Sequence, residues 1–146
     1  MAIITAALVR LNAVAESKED AIKMAGDLLV QAGRVAPAYV EGMLARERTM
    51  STYMGNGVAI PHGEFENRAD IFETGISVVQ IPAGIVWEDE ERAYLVIGIA
   101  AKADEHITVL SNLAEVVEEE ENVALLVQTT DPQVIIERLD RPVEEV

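Results

Sequence analysis

With 146 residues, half of them apolar and a quarter charged, the chain has the composition of a globular protein and can form one domain, residues 1–146, with its own hydrophobic core. The absence of cysteine excludes disulfides, thiolate metal sites and cysteine nucleophiles, and it suits a reducing compartment. A net charge of −15 argues against binding to nucleic acid, which needs clustered Lys and Arg, and would favour a basic protein partner.

The amino terminus, MAIITAALVRLNAVA, carries an apolar run that Arg10 ends well before the length of a membrane span. No basic segment precedes this run, so the sequence predicts neither a signal peptide nor a membrane anchor. We therefore expect a cytoplasmic protein that does not insert into the membrane.

The first half of the chain predicts two helices. The first begins after Ser17, which forms an S-x-x-D capping signal with Asp20, and ends at Gly33. The second begins near Pro37, a favourable first-turn residue, and ends with the segment ARERT. The expected buried faces of the two helices are Ala21, Ile22, Ala25, Leu28, Leu29 and Ala32, and Val40, Met43 and Leu44.

Four apolar segments predict strands: residues 57–61, 75–82, 92–101 and 123–130. The third, RAYLVIGIAA, is apolar almost throughout, as is typical of a strand covered on both faces. The fourth, VALLVQTT, is a second candidate for a buried strand.

Two further helices are predicted in the second half. Residues 104–122 form the first, with the acidic run 118–121 at a solvent-exposed helix end. The second begins after Asp131 as N-cap, with Pro132 at its first position. The expected buried face of the first is Ile107, Leu110, Leu113, Ala114 and Val117.

Helices and strands mix along the chain without a linker, repeat or low-complexity stretch. This order predicts an α/β sandwich of three layers, with helices on both faces of a central sheet.

Several kinds of chemistry lack their sequence signals. There is no glycine-rich nucleotide-binding motif, no H-E-x-x-H motif and no serine in a nucleophile elbow. His62 with Glu64 or Glu66, and with the distant His106, could in principle bind zinc, but this spacing is unspecific. We expect neither a metal nor a cofactor.

His62 lies between Pro61 and Gly63 in the segment GNGVAIPHGEFE. A neutral imidazole is a good nucleophile near its ordinary pKa of about 6.5 and can carry a phosphoryl group as a phosphoramidate. The surrounding glycines would let a phosphate approach the main chain, where free N–H groups could bind it. The alternative is an ordinary turn histidine.

Three more residues are candidates for the same site. Arg46 or Arg48, at a helix end, could supply a bidentate clamp, and His106, near a helix start, could donate a further hydrogen bond. The alternatives are surface arginines favoured by the helix dipole, and a capping or ion-paired histidine.

Three stretches together resemble a known family: ESKEDAI, MLARERTMSTYMGNGVAIPHG and GISVVQIPAGIVWEDEERAYLVIGIAAKADEHITVLSNLAEVV. They are similar to the enzyme IIA component of the bacterial phosphoenolpyruvate-dependent sugar phosphotransferase system, in its mannitol–fructose class and most like the mannitol branch. The similarity runs from about residue 8 to residue 139, and the first 14 residues match only loosely. The family fold implies that the central sheet is mixed.

The resemblance implies a role for each candidate residue. The phosphoacceptor of the P-H-G motif falls on His62, the supporting histidine of the E-H-I motif on His106, and the arginine of the L-x-R-E segment on Arg46 rather than Arg48. The implied donor is the phosphorylated carrier HPr, and the implied acceptor is a cysteine of the IIB domain of a sugar permease, most readily one for mannitol. A fructose-type carrier and a regulatory, nitrogen-related IIA module are the alternatives, and the chain's length suggests a free-standing IIA protein.

Overall fold

The computed structural model describes residues 2–102 and 104–141, which form one mixed sheet and the helices around it. Two short 3-10 helices, Ala6–Leu8 and Phe65–Asp70, accompany these elements. The strands are β1 (Val9–Arg10), β2 (Tyr53–Gly55), β3 (Val58–Ala59), β4 (Gly75–Glu88) and β5 (Glu91–Ala100). The helices are α1 (Lys18–Gln31), α2 (Ala38–Thr49), α3 (His106–Val117), α4 (Glu120–Gln128) and α5 (Pro132–Leu139).

The strand order in the sheet is β1-β4-β5-β3-β2. The long β4–β5 hairpin is antiparallel and forms the centre, while β1 pairs with β4 and β3 with β5 in parallel. β2 closes the other edge antiparallel to β3. The mixed character that the resemblance implied is therefore confirmed.

Two buried polar residues of β4 show that helices cover both faces of the sheet. The Ser77 hydroxyl donates to Ala25 O of α1 at 2.7 Å, and Gln80 Nε2 donates to Leu126 O of α4 at 2.9 Å. Because successive strand residues point to opposite faces, Ser77 and Gln80 point to opposite sides. α2 packs on α1, whereas α3 packs on α4 and α5, so the predicted three-layer α/β sandwich is confirmed.

The predicted caps determine where the first and last helices begin and end. Ser17 accepts a hydrogen bond from Asp20 N at 3.0 Å, and Gly33 follows α1 with a φ of +74°. Asp131 caps α5 by accepting from Gln133 N, and Pro132 is the first helical residue. α2 starts directly after Pro37, as predicted.

The prediction of a strand over residues 123–130 is wrong, because these residues lie in α4 and the turn that follows it. Val123 and Leu126 are buried three residues apart, whereas Leu125 is 37% exposed. A short apolar run is compatible with either structure, and here the strong helix formers of the segment prevail. Gln80 then supplies hydrogen bonds to the carbonyls at the end of α4.

The predicted helix over residues 104–122 is divided in two, since α3 ends at Val117 and α4 begins at Glu120. The acidic run 118–121 is exposed, as expected, and lies at this break. The predicted buried face is partly wrong, because Ile107 is 74% exposed. The buried residues of α3 are Val109, Leu113, Val116 and Val117.

The strand bounds also differ from the sequence-based ones. β4 does not stop at Pro82 but continues to Glu88, with an irregularity between Gln80 and Ile85 that accommodates the proline. The two-residue β1 and the short β2 were not predicted, because each has too few residues for a periodic pattern.

Candidate functional site

His62 is held beside the carboxyl end of β5, a central strand of the sheet. It forms a parallel bridge with Ile99 of β5, and Ile99 N donates to Pro61 O at 2.9 Å. The ring nitrogen Nδ1 lies 2.8 Å from Ile60 O. Because a carbonyl oxygen can only accept, Nδ1 carries the ring hydrogen, and the lone pair of the neutral ring is on Nε2.

Tyr39 supports the glycine that follows this histidine. Its buried hydroxyl donates to Ile99 O at 2.8 Å and accepts from Gly63 N at 2.9 Å. Burial raises the pKa of Tyr39 to about 12, so the hydroxyl keeps its proton at all ordinary pH values. A Cβ atom at position 63 would lie 2.6 Å from the Tyr39 ring, so glycine is needed here to make room for the ring.

This contact corrects one expectation from the sequence. Gly63 N is not a free donor for a phosphate, because Tyr39 already accepts its hydrogen bond. Donors for an anion in this site must therefore come mainly from side chains.

His106 is brought to His62 by α3, of which it is the first residue. The two imidazole centroids are 5.4 Å apart, with the ring planes at 61°. The start of α3 is held by Thr74, whose hydroxyl accepts from Lys102 N and donates to Glu105 Oε1. Within the described part of the chain the His106 side chain forms no ion pair, so the alternative of an ion-paired histidine is not supported.

The structure separates the two candidate arginines. Arg46 lines the same cavity as both histidines, and its Nη1 donates to Met50 O at 2.6 Å. Arg48 lies instead in a different surface hollow, beside Lys18 and Glu19 of α1. Arg46 is thus the arginine that accompanies His62.

Both histidines are poor bases in this environment. Burial is the main cause that lowers the pKa of His62 below its ordinary 6.5, and the charge of Arg46 and the protonated form of His106 lower it further. The Ile60 carbonyl and Glu47 oppose this shift. Burial also lowers the pKa of His106. At neutral pH the His62 imidazole is therefore uncharged, which is the nucleophilic form.

These side chains surround a cavity of about 360 Å³. A phosphoryl group would meet two fixed positive charges, on Arg46 and Arg68, and two imidazoles. A larger hollow of about 990 Å³ lies between α4 and the β4–β5 hairpin and contains none of these groups. The lining residues of the smaller cavity are Tyr39, Arg46, His62, Gly63, Glu64, Phe65, Arg68, Ile71, Ala101 and His106.

Sequence reasoning missed five of these residues: Tyr39, Phe65, Arg68, Ile71 and Ala101. Arg68 is held over the Phe65 ring, with Cζ 4.0 Å from the ring centroid, and its Nη1 donates to Phe65 O at 3.1 Å. No local pattern marks these residues, although a second arginine six positions after His62 could have been considered as an anion ligand.

The zinc alternative receives no support from the geometry. Among residues 2–102 and 104–141, no three His, Cys, Asp or Glu side chains come together in a way that could hold a metal ion. Over the same residues, no helix combines the length and apolarity that crossing a bilayer requires.

Known proteins resemble this chain in sequence over most of its length. A multiphosphoryl transfer protein of Haemophilus influenzae is 49% identical over 123 residues, which are 84% of this chain and 25% of that protein. The mannitol-specific phosphotransferase enzyme IIA component of Bacillus subtilis is 42% identical over 88% of this chain and 90% of its own. The chain thus spans a quarter of the first relative and nearly all of the second.

Solved structures resemble the fold closely. The crystal structure of IIA mannitol from Escherichia coli matches with a TM-score of 0.86 and 38% identity, covering 93% of this chain and 98% of that one. Enzyme IIA in its complex with phosphorylated enzyme IIB, from the same organism, matches with a TM-score of 0.88 and 38% identity over 93% and 96% of the two chains.

The family model for the phosphoenolpyruvate-dependent sugar phosphotransferase system, EIIA 2, matches residues 2–141. The match includes the amino-terminal segment that resembles the family only loosely, and it confirms the resemblance drawn from the motifs. This chain belongs to the EIIA 2 family of the phosphoenolpyruvate-dependent sugar phosphotransferase system.

Proposed function

We propose that this chain is a phosphocarrier in which His62 receives a phosphoryl group from phosphorylated HPr and passes it to a cysteine of a IIB domain. The observation that carries the proposal is the bond from His62 Nδ1–H to Ile60 O, which leaves Nε2 as the nucleophilic nitrogen beside Arg46 and His106. Nε2 attacks phosphorus, the bond between phosphorus and the donor nitrogen of HPr breaks, and the donor keeps that electron pair. In the second step the cysteine sulfur displaces His62 in the same way.

The charges of the site suit this transfer. The transferring group carries negative charge on three equatorial oxygens, and catalysis depends on positioning and electrostatic stabilisation. Arg46 offers a planar, permanently charged fork, and His106 offers one ring N–H. Neutral His62 is ready to attack because its pKa is lowered by burial.

Exposed apolar side chains near the cavity provide a docking surface for the two partners. Phe65 is 72% exposed, Met50 is 66% exposed and Ile107 is 74% exposed. Phe65 lines the cavity, Ile107 follows His106, and the Met50 carbonyl accepts from Arg46. Apolar patches with a charged rim are typical of protein interfaces. The net charge of −15 would add long-range attraction to a basic donor.

Mannitol is the sugar we propose for the transport system that this chain serves. The support is the B. subtilis mannitol-specific relative, which matches along nearly its whole length, and the two E. coli IIA mannitol structures. The multiphosphoryl transfer proteins are somewhat more similar in sequence and their names state no sugar, so a fructose-type carrier is the competing proposal. Residues 1–146 would act as one EIIA unit in the cytoplasm.

The test is stepwise transfer of label from phosphoenolpyruvate through the general carriers to this protein and then to purified IIB domains. We expect label on wild type and on His106→Ala but none on His62→Ala. The bound label should be labile to acid and stable to base, as for a phosphoramidate. A mannitol-type IIB domain should accept the label faster than a fructose-type one.

Three outcomes would count against the proposal. Wild-type labelling of His62→Ala would exclude His62 as the acceptor, and a base-labile adduct would indicate an acyl phosphate on Asp or Glu. Faster transfer to the fructose-type IIB domain would keep the phosphocarrier and overturn the choice of mannitol. Transfer to neither IIB domain would favour the regulatory, nitrogen-related alternative.

A further inference from the structure

Glu47 is a buried acid whose neighbours are all hydrogen-bond donors or cations. The residue is 6% exposed and follows Arg46 in α2. Its carboxylate accepts from the backbone N and the hydroxyl of Thr52, and from Trp87 Nε1 at 3.1 Å. Lys18 Nζ lies 3.7 Å away.

Stability alone does not explain why a carboxylate is buried at this position. Removing a charge from water is costly, and well-packed apolar groups often stabilise such positions equally well. Glu47 instead joins three parts of the chain, because Lys18 belongs to α1, Trp87 to β4 and Thr52 to the segment before β2.

Thr52 leads directly to the His62 ring. Its carbonyl accepts from Ile60 N at 3.0 Å, and the Ile60 carbonyl accepts from His62 Nδ1 at 2.8 Å. Glu47 therefore holds the side chain and the amide of Thr52. The Thr52 carbonyl in turn holds Ile60, whose own carbonyl selects the His62 tautomer. We call Glu47, Thr52 and Ile60 the Glu47 relay.

We propose that Glu47 is a positioning residue for His62: through the Glu47 relay it keeps the ring hydrogen on Nδ1 and leaves Nε2 free to attack phosphorus. The catalytic consequence rests on the proposed function, whereas the effect on the ring does not. Glu47 touches no reacting atom: apart from the effect of its charge on the pKa of His62, it acts through Thr52 and Ile60.

A carboxylate suits this position because the Thr52 and Trp87 N–H groups and the Lys18 ammonium can only donate, whereas the Thr52 hydroxyl can also accept. Glu47→Gln keeps the size but replaces one acceptor oxygen with an NH2 group, which would face the Trp87 N–H or the Thr52 N–H as donor against donor. The Thr52 segment would then shift, and the Ile60 carbonyl with it. Misplacement of a reacting group by about 1 Å can lower a rate about 100-fold, so we expect a fall of roughly 10- to 100-fold at saturating phospho-HPr with little change in KM.

The first measurement uses the unphosphorylated protein and needs no partner. Long-range ¹H–¹⁵N NMR of the imidazoles reports which nitrogen carries the hydrogen, and His106 serves as the reference ring. We expect His62 to carry it on Nδ1 in wild type and to a measurable share on Nε2 in Glu47→Gln. Ser77→Ala is the control, because it also removes a buried hydrogen bond but lies outside the Glu47 relay.

A second pair of variants covers the case in which Glu47→Gln does not fold. Thr52→Val removes the hydroxyl that donates to Glu47 while keeping the shape of the side chain, and Thr52→Ser keeps the hydroxyl. We expect Thr52→Val to change the His62 tautomer and the transfer rate in the same direction as Glu47→Gln, though by less. Thr52→Ser should keep the wild-type tautomer and the wild-type rate.

The outcomes separate the two proposals. A wild-type tautomer and wild-type rate in folded Glu47→Gln, or in Thr52→Val, would overturn the role of Glu47. If Glu47→Gln loses no more rate than Ser77→Ala and keeps the wild-type tautomer, Glu47 has only a structural role, and the proposal is overturned as well. If wild type accepts no label while Glu47→Gln still changes the tautomer, the phosphocarrier proposal fails and the Glu47 relay stands.

Discussion

Replacing Tyr39 by phenylalanine removes one buried oxygen and leaves the ring in place. The residue is 2% exposed, and its hydroxyl donates to Ile99 O at 2.8 Å and accepts from Gly63 N at 2.9 Å. In Tyr39→Phe both backbone groups lose this partner at a position where the surrounding side chains limit the access of water.

The magnitude follows from the two unsatisfied groups. A buried donor or acceptor left without its partner costs about 1–3 kcal/mol, and the unchanged ring adds no cavity term. Since the amide and the carbonyl share one hydroxyl, we expect the free energy of unfolding to fall by about 2 kcal/mol. For a protein of this size the midpoint of thermal unfolding should fall by about 4–8 °C.

Urea unfolding followed by circular dichroism measures this change. The urea midpoint should fall while the slope m stays constant, because the folded and unfolded surfaces are nearly unchanged. Tyr94→Phe is the matched control, because the Tyr94 hydroxyl forms no hydrogen bond within the described ranges 2–102 and 104–141.

A fall of less than about 0.5 kcal/mol in Tyr39→Phe would refute this reasoning, since surface substitutions reach that size without any lost contact. The same conclusion would follow if Tyr94→Phe destabilised the protein as much as Tyr39→Phe does.

Three further predictions concern the pH dependence, the site and the turn before β3. Because the folded-state pKa of His62 is lowered from 6.5, the unfolded chain binds the proton first on acidification. The stability that His62 contributes is therefore present above pH 6.5 and is lost as the pH falls below it. Urea midpoints of wild type and His62→Ala between about pH 8 and about pH 5 will measure this loss. In rapid-quench experiments Arg46→Lys should be slower in both half-reactions, because the bidentate fork is lost, whereas His106→Ala should accept the group but pass it on roughly 100-fold more slowly. Gly57→Ala should lower the free energy of unfolding by about 1–3 kcal/mol, because φ is +78° there and a Cβ atom would lie 2.8 Å from Tyr94 Cδ2.

The pH dependence, His106→Ala and Gly57→Ala each have an outcome that would contradict the prediction. Equal pH dependence of wild type and His62→Ala would exclude a contribution from His62. Wild-type rates in both steps for His106→Ala would show that it has no part in transfer, and a complete block of uptake would make it the acceptor. Gly33→Ala is the control for Gly57→Ala, because its φ of +74° is similar but its Cβ atom would meet nothing within 4 Å, so equal losses would contradict the steric argument.

Local signals in the sequence were enough to predict several elements and the site histidine. Ser17 begins α1, and Asp131 begins α5, because a side-chain cap satisfies backbone groups within a few residues of itself. The P-H-G segment identified His62 as a candidate because this motif, like a cap, is local in the sequence and needs no knowledge of the fold.

Segments without such a signal depended on their surroundings. The apolar run 123–130 is compatible with strand and helix, and its environment includes Gln80 of β4, which supplies hydrogen bonds to the carbonyls at the end of α4. Position at a helix end does not distinguish Arg46 from Arg48, and only the resemblance to the L-x-R-E segment favoured Arg46; residues two apart on a helix point in nearly opposite directions. Only the packing of α2 decides which of them faces the cavity.

The sequence by itself thus determined the family motifs, the helix starts that carry their own caps and the identity of the acceptor candidate. The tertiary structure alone decided that the His106 ring lies 5.4 Å from the His62 ring, that Ile60 selects the tautomer of His62, and that Tyr39 occupies the amide of Gly63. These contacts join segments of different elements, and their geometry depends on how β5, α2 and α3 pack, which no local pattern of residues specifies.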